Sequence, residues 1–210
     1  MVHGVRLLVA WVVLVAGLTL GMQRVEASST LDLLGVGWDK PQVTVLIKAA
    51  GGVTSQAILD VEAAISDWNA VLLAQVNGAP ELVLVSGVKK ADIIIQMKVG
   101  GGSVLGSALP RTSTPFTCEL KIASIQLSGK AFGLALSSVG TRNVARHEIG
   151  HALGLGHSDD PNDLMHPTFE SSEFLGDVDV PISQCDKNGL EAVYPLPTAC
   201  SAIPDLVSCP

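Results

Sequence analysis

Three histidines fall within eleven residues of this chain, in the run His147-Glu148-Ile149-Gly150-His151-Ala152-Leu153-Gly154-Leu155-Gly156-His157. On a helix, residues four apart lie on one face, one turn apart, so His147 and His151 can direct imidazole nitrogens at a single ion. Glu148 stands about 100° further round, near enough to hydrogen-bond a water at that ion without ligating it. The opposite stripe, Ala145, Ile149, Ala152 and Leu153, is apolar and predicts packing on a sheet, which turns the ligand face toward a cleft. Gly154 can take the left-handed conformation that ends a helix, and this brings His157 back toward the same ion. Three neutral imidazoles leave one position of a tetrahedral Zn2+ open, the arrangement of a catalytic rather than a closed structural site. The expected chemistry is amide hydrolysis: zinc acidifies a water and polarises the carbonyl, while Glu148 takes the proton and passes it to the leaving amine.

Charge narrows the partners. A net charge of -7 over 210 residues argues against nucleic acid, which needs a basic face. Between Arg146 and Lys187 there is no basic residue, and the acidic side chains there read as a solvated face, with a Ca2+ site or attraction for basic substrates as the sharper alternatives. At 48% hydrophobic and 16% charged, the length suits one domain with a sizeable core, and monomer is the expected state.

Residues 1–27 read as a secretory signal: Arg6 flanks an apolar run from Leu7 to Met22, and Val25-Glu26-Ala27 suits cleavage. An uncleaved N-terminal anchor is the alternative, with the rest of the chain still outside the cytoplasm; cleavage would leave no stable membrane partner. Four cysteines, Cys118, Cys185, Cys200 and Cys209, favour disulfides in an exported chain. Cys200 and Cys209 could close a small loop in the Pro-containing tail at 197–210, leaving Cys118 and Cys185 to pair across the domain; four cysteines allow three connectivities.

Val43, Val45 and Ile47 alternate as a strand does, and Ile58, Val61, Ile65, Trp68 and Leu72 recur at helical steps behind Thr54 and Ser55 as N-caps, with Trp68 a core anchor. Asn77-Gly78 marks a turn, and strands are predicted at 81–86, 92–99, 104–109 and 120–127, with a loop at 110–115. The pattern predicts an α+β domain.

The run HExxHxxGxxH followed by a methionine resembles the signature of the metzincin zinc endopeptidases, and His157-Ser158-Asp159 leading to Leu164-Met165 resembles the matrixin branch. Gly37-Trp38-Asp39, Trp68-Asn69, Ala91-Asp92-Ile93 and Ile182-Ser183-Gln184-Cys185-Asp186 before Tyr194-Pro195 are also similar to matrixin segments, so the likeness covers roughly residues 36–196 of a domain at 28–196. The resemblance implies a mixed twisted sheet of about five strands with three helices and a cleft across the domain. It implies His147, His151 and His157 as zinc ligands, Glu148 as general base, Met165 as the Met-turn residue, and a protein or peptide substrate. It further implies that the strand holding Leu105, Gly106, Ser107 and Ala108 pairs with an extended substrate, and that the segment after His166-Pro167 walls the pocket for the residue beyond the scissile bond.

The sequence departs from the family in three places. The short stretch after Ala27 has no cysteine, so the cysteine-switch prodomain is expected to be missing, and no haemopexin-like domain is expected after the tail. Outside the motif the mature chain holds only His166, too few histidines for the family's second, structural zinc. Cys185 stands where the first of two paired aspartates is common, Asp186 keeping the second. The expected function is a secreted zinc-dependent endopeptidase. The competing expectation is a non-catalytic zinc-bound adhesion or regulatory module on the same scaffold, and an intact Glu148 separates the two.

Overall fold

The computed structural model describes residues 29–114 and 117–209, so the signal-like segment lies outside the described residues. The elements run β1 (Thr30–Leu33), β2 (Gln42–Ala49), α1 (Ser55–Gln75), β3 (Glu81–Leu84), β4 (Ile93–Lys98), β5 (Gly106–Thr112), β6 (Leu120–Ser128), β7 (Lys130–Ala131) and β8 (Leu134–Ala135). They continue with α2 (Ser138–Ala152), β9 (Leu155–Ser158), α3 (Ser171–Phe174), α4 (Gln184–Val193) and β10 (Leu206–Ser208).

Alternation at Val43 and Val45, and at Ile93, Ile95 and Met97, sends these side chains into the core from β2 and β4. Helix α1 starts where Thr54 Oγ1 accepts a hydrogen bond from the Ala57 amide at 3.1 Å, and it buries Val61, Ala64, Ile65, Trp68 and Leu72. The order β3-β2-β4-β6-β5 gives a five-stranded mixed sheet. Its first four strands are parallel, with α1 as the crossover from β2 to β3, and β5 is an antiparallel edge. This is the α+β architecture expected from the sequence.

Strand β5 begins at Gly106 and continues through Pro110 to Thr112, where a loop was expected from residue 110. Proline gives no amide to a ladder, yet an edge strand has one unpaired side on which that loss is tolerated. A second sheet, β10-β1-β9, was not expected: Thr30 stands opposite Ser208, and Leu31 opposite both Val207 and Ser158. The tail is thereby drawn across the N-terminal strand, and Ile203 and Cys209 are buried in the common core.

That path corrects the expected disulfides. Cys185 on α4 bonds Cys209, their Cα atoms 4.9 Å apart, because β10 carries Cys209 over α4 and away from Cys200. Cys118 reaches the Pro197 carbonyl at 3.8 Å and shares a thiol hydrogen bond with Cys200. Burial first, then that bond, raises the Cys118 thiol.

Candidate metal centre

Helix α2 carries the first two histidines, and its neighbours fix it at three carbonyls. The Trp68 indole donates to the Arg146 carbonyl at 2.9 Å, the Trp38 indole to Ala152 at 2.8 Å, and the Tyr194 hydroxyl to Leu153 at 3.0 Å. Ala145, Ile149, Ala152 and Leu153 are all buried, so the apolar stripe packs as expected. Arg146, 4% exposed, donates Nε to Asp67 at 2.6 Å and Nη1 to Asp179 at 2.7 Å, which ties α2 to α1 and to the segment before α4. Burial raises the Asp67 carboxyl, but Arg142 and Arg146 outweigh it and hold that carboxyl below the usual range.

The helix ends at Ala152, and Gly154 turns the chain at φ +107° into β9, which carries His157. A β-carbon at Gly154 would stand 2.2 Å from the Val36 carbonyl oxygen, so both conformation and space require glycine there.

His147 Nδ1–H donates to the Leu164 carbonyl at 2.8 Å and His151 Nδ1–H to the Leu155 carbonyl at 2.8 Å. These bonds select the tautomer whose Nε2 lone pair is available, and the two Nε2 atoms lie 3.1 Å apart. Tetrahedral zinc with bonds of about 2.0–2.1 Å holds two nitrogens about 3.3 Å apart, so the pair already has ligand spacing. One nitrogen from each of His147, His151 and His157 falls within 4.8 Å of the others. Exposure grows from buried His147 to exposed His157, which places the group at the wall of an open cleft. Burial, then the neighbouring His151, pushes His147 down to about 3, and burial also lowers His151 and His157. All three imidazoles are therefore neutral donors near pH 7, and the set fits zinc.

Glu148 is 5% exposed, and its Oε2 has no hydrogen-bond partner among the described residues. Burial alone pushes its carboxyl up to about 8. It faces Gly106 at the start of β5, where a β-carbon would stand 2.4 Å from Glu148 Oε1. Glu148 and His147 open onto a pocket of about 310 Å3 walled by Leu105, Val144, Phe169 and Phe174. Across the histidines, His151 and His157 border a broader groove of about 800 Å3 that runs along Ala108 to Thr114.

Met165 is fully buried beneath α2, where a β-carbon at Gly150 would meet its Sδ at 2.5 Å. Between residues 131 and 195 the chain matches the family model described as Matrixin. The chain carries a matrixin-like domain. It is 50% identical over 52 residues to human matrix metalloproteinase-25, a stretch covering 24% of this chain and 9% of that protein. Over 51 residues it is 51% identical to interstitial collagenase of Equus caballus (24% and 10%) and 42% identical to human matrilysin (24% and 18%). The matched stretch thus spans less than a fifth of each of these relatives. In this matrixin-like domain the family implies zinc, and the histidine triad supplies its donor set.

Of the other residues singled out in the sequence, Leu105, Gly106 and Pro167 line the pocket, Ala108 lines the groove, and Ser107 lies exposed on β5 between them. His166 sits outside the triad, Nδ1 against the Thr168 carbonyl at 3.0 Å. The only other metal-competent group among the described residues is Asp163 with the disulfide-bonded Cys185 and Cys209. Several carboxylates of the acidic run are occupied instead: Asp159 accepts from the Thr30 amide at 2.6 Å, Asp163 from the Ser158 hydroxyl at 2.6 Å and Asp160 from the Asn162 amide at 2.9 Å. The sequence reading missed Val144, Phe169 and Phe174 as pocket walls. Only tertiary packing brings them to Glu148, although helical spacing does place Val144 and Glu148 on one face.

Proposed function

We propose that this chain is a secreted zinc-dependent endopeptidase that hydrolyses peptide bonds in proteins, with His147, His151 and His157 holding the ion and Glu148 as general base. The observation that carries this reading is the Glu148 carboxylate: buried, with Oε2 unpartnered, and one residue from a histidine whose Nε2 is already at ligand spacing. His147, His151 and His157 would hold a zinc ion there, which would supply Lewis-acid polarisation of the scissile carbonyl and lower the pKa of a water. Glu148 is placed to accept a proton from the attacking water and to deliver it to the leaving amine nitrogen, so one carboxylate would serve as base and then acid. Burial raises its pKa to about 8, and a dication held by the three histidines would oppose that rise, keeping the carboxylate ionised and able to take up a proton near neutral pH.

The free side of β5 offers unpaired backbone groups to an extended chain, and the two cavities at its ends receive side chains on either side of the cleaved bond. Secretion is supported by the apolar segment at 7–22 and by the Cys185–Cys209 disulfide, which belongs to an oxidising compartment. No helix among the described residues is long and apolar enough to cross a membrane.

The test is cleavage of an unfolded protein by the purified chain, with and without a chelator. Chelator-sensitive cleavage that Glu148→Ala abolishes while zinc remains bound is expected. Cleavage that ignores the chelator, or none from a folded, zinc-loaded protein, overturns the proposal.

A further inference from the structure

Strands β7 and β8 form a hairpin closed by two residues, Phe132 and Gly133, with Ala131 opposite Leu134. Both loop residues have positive φ, +51° for Phe132 and +84° for Gly133. A two-residue turn of this kind favours Asn-Gly, since a side chain with a bulky ring is disfavoured in the left-handed region. Phe132 is the only non-glycine residue with positive φ among those described, and its ring is not repaid by burial, being 71% exposed. Beside it Ala131 is fully buried, so the hairpin is anchored without the ring.

The ring's surroundings suit it to a ligand contact. Phe132 lies at the mouth of the pocket that holds Glu148, together with exposed Val104 and partly buried Leu105. The position is fixed: the Phe132 amide donates to the Gly102 carbonyl at 3.1 Å, and the Leu136 amide to Gly129 at 3.1 Å. A β-carbon at Gly101 would stand 2.0 Å from the Lys130 carbonyl oxygen, so the glycine run also lets the hairpin seat against the segment that leads into β5. A strained residue tied at a cleft by backbone hydrogen bonds, with an apolar face turned to solvent, is a candidate for contact with a ligand.

We infer that Phe132 is a specificity-determining residue, its ring forming the outer lip of the pocket beside Glu148 and covering a large apolar side chain of the peptide seated there. The assignment rests on the peptidase reading for the identity of its ligand. Leu105, Val144, Phe169 and Phe174 surround the inner part of such a side chain, and Phe132 removes its outer part from water. A small side chain that remains inside the pocket gains nothing from the ring.

The experiment compares the parent with Phe132→Asn, Phe132→Ala and Phe132→Tyr. The substrates are two peptides that differ only in carrying leucine or alanine directly after the cleaved bond. Asn suits the turn, so F132N is expected to raise Tm by about 2–4 °C, whereas F132A keeps the unfavourable φ without the ring. Both are expected to lose roughly tenfold in kcat/KM for the leucine peptide and less than about twofold for the alanine peptide, and F132Y to restore the difference.

A second measurement does not need turnover: binding of the fluorescently labelled leucine and alanine peptides to Glu148→Ala protein, with and without F132N. Loss of the leucine preference in F132N supports the inference even where the parent shows no cleavage, an outcome that would instead count against the peptidase reading. Unchanged leucine preference in F132N and F132A, in binding or in cleavage, overturns it. So does an effect of F132N confined to self-association in sedimentation, since the ring would then serve a second copy of the chain.

Discussion

Gly150 on α2 stands directly over Met165, so that a β-carbon added to it would lie 2.5 Å from the methionine Sδ and 3.3 Å from the Trp68 ring. The contact lets the helix with two candidate ligands descend onto the turn whose Leu164 carbonyl orients His147.

In an exposed helix, Gly→Ala stabilises by up to about 1 kcal/mol. Here the sign reverses: Gly150→Ala is expected to cost about 1–3 kcal/mol by overpacking and to weaken zinc binding, because Met165 or the helix must move. Urea unfolding and a chelator-competition titration measure the two effects. Shortening Met165 to Ala in the same protein should recover part of the loss, a coupling that independent sites do not show.

Gly106 has the corresponding relation to Glu148. A β-carbon there reaches the flexible carboxylate end, at 2.4 Å from Oε1, so the carboxylate has to give way. Gly106→Ala is therefore expected to lower kcat by roughly 10- to 100-fold with zinc retained and Tm changed by less than about 2 °C. Retention of full kcat would show that Glu148 does not act from the position in which it is seen.

How much of this was legible in the sequence depended on range. The α2 histidines, Gly154 and the Thr54-capped helix are local patterns, where periodicity of 3.6 and cap chemistry act within a few residues. The β10-β1-β9 sheet was not legible, because strands of three and four residues carry no periodicity and Thr30 pairs with Ser208 from the other end of the chain. The disulfide was misread for the same reason: Cys209 follows β10, and sequence proximity to Cys200 suggested a loop that the strand pairing forbids. The role of Phe132 also escaped, because the strands flanking Phe132-Gly133 are only two residues each, Lys130-Ala131 and Leu134-Ala135, too short to show alternation.

The Cys185–Cys209 bond closes a separation of 24 residues and fixes β10, which holds β1 against the strand bearing His157. Replacing both cysteines by serine is expected to cost about 2–4 kcal/mol and to speed zinc loss to a chelator. Peptide mapping without reductant should return Cys185 joined to Cys209; a Cys200–Cys209 peptide would contradict the fold. Where a second cross-link forms, it should join Cys118 to Cys200, which already share a hydrogen bond.

Asp186 gives a pH-dependent prediction. It is fully buried and forms a capping box with Ser183: its Oδ2 accepts from the Ser183 amide at 2.7 Å, while Oδ1 has no partner among the described residues. Burial pushes its carboxyl up to about 7; the Ser183 bonds and Lys187 oppose that rise, and Asp163 adds to it. The folded state thus holds a proton that the unfolded chain releases near its ordinary value of 3.8. Stability from this group is complete below about pH 4, declines as pH rises toward 7 and is level above that. Asp186→Asn keeps an oxygen for the Ser183 amide and mimics the protonated acid. It should match the parent Tm near pH 4 and exceed it by roughly 5 °C at pH 8. Glu148 and the three histidines titrate in both proteins and cancel in the difference, so a Tm gap that does not widen between these two pH values would show that Asp186 is ionised in the native fold.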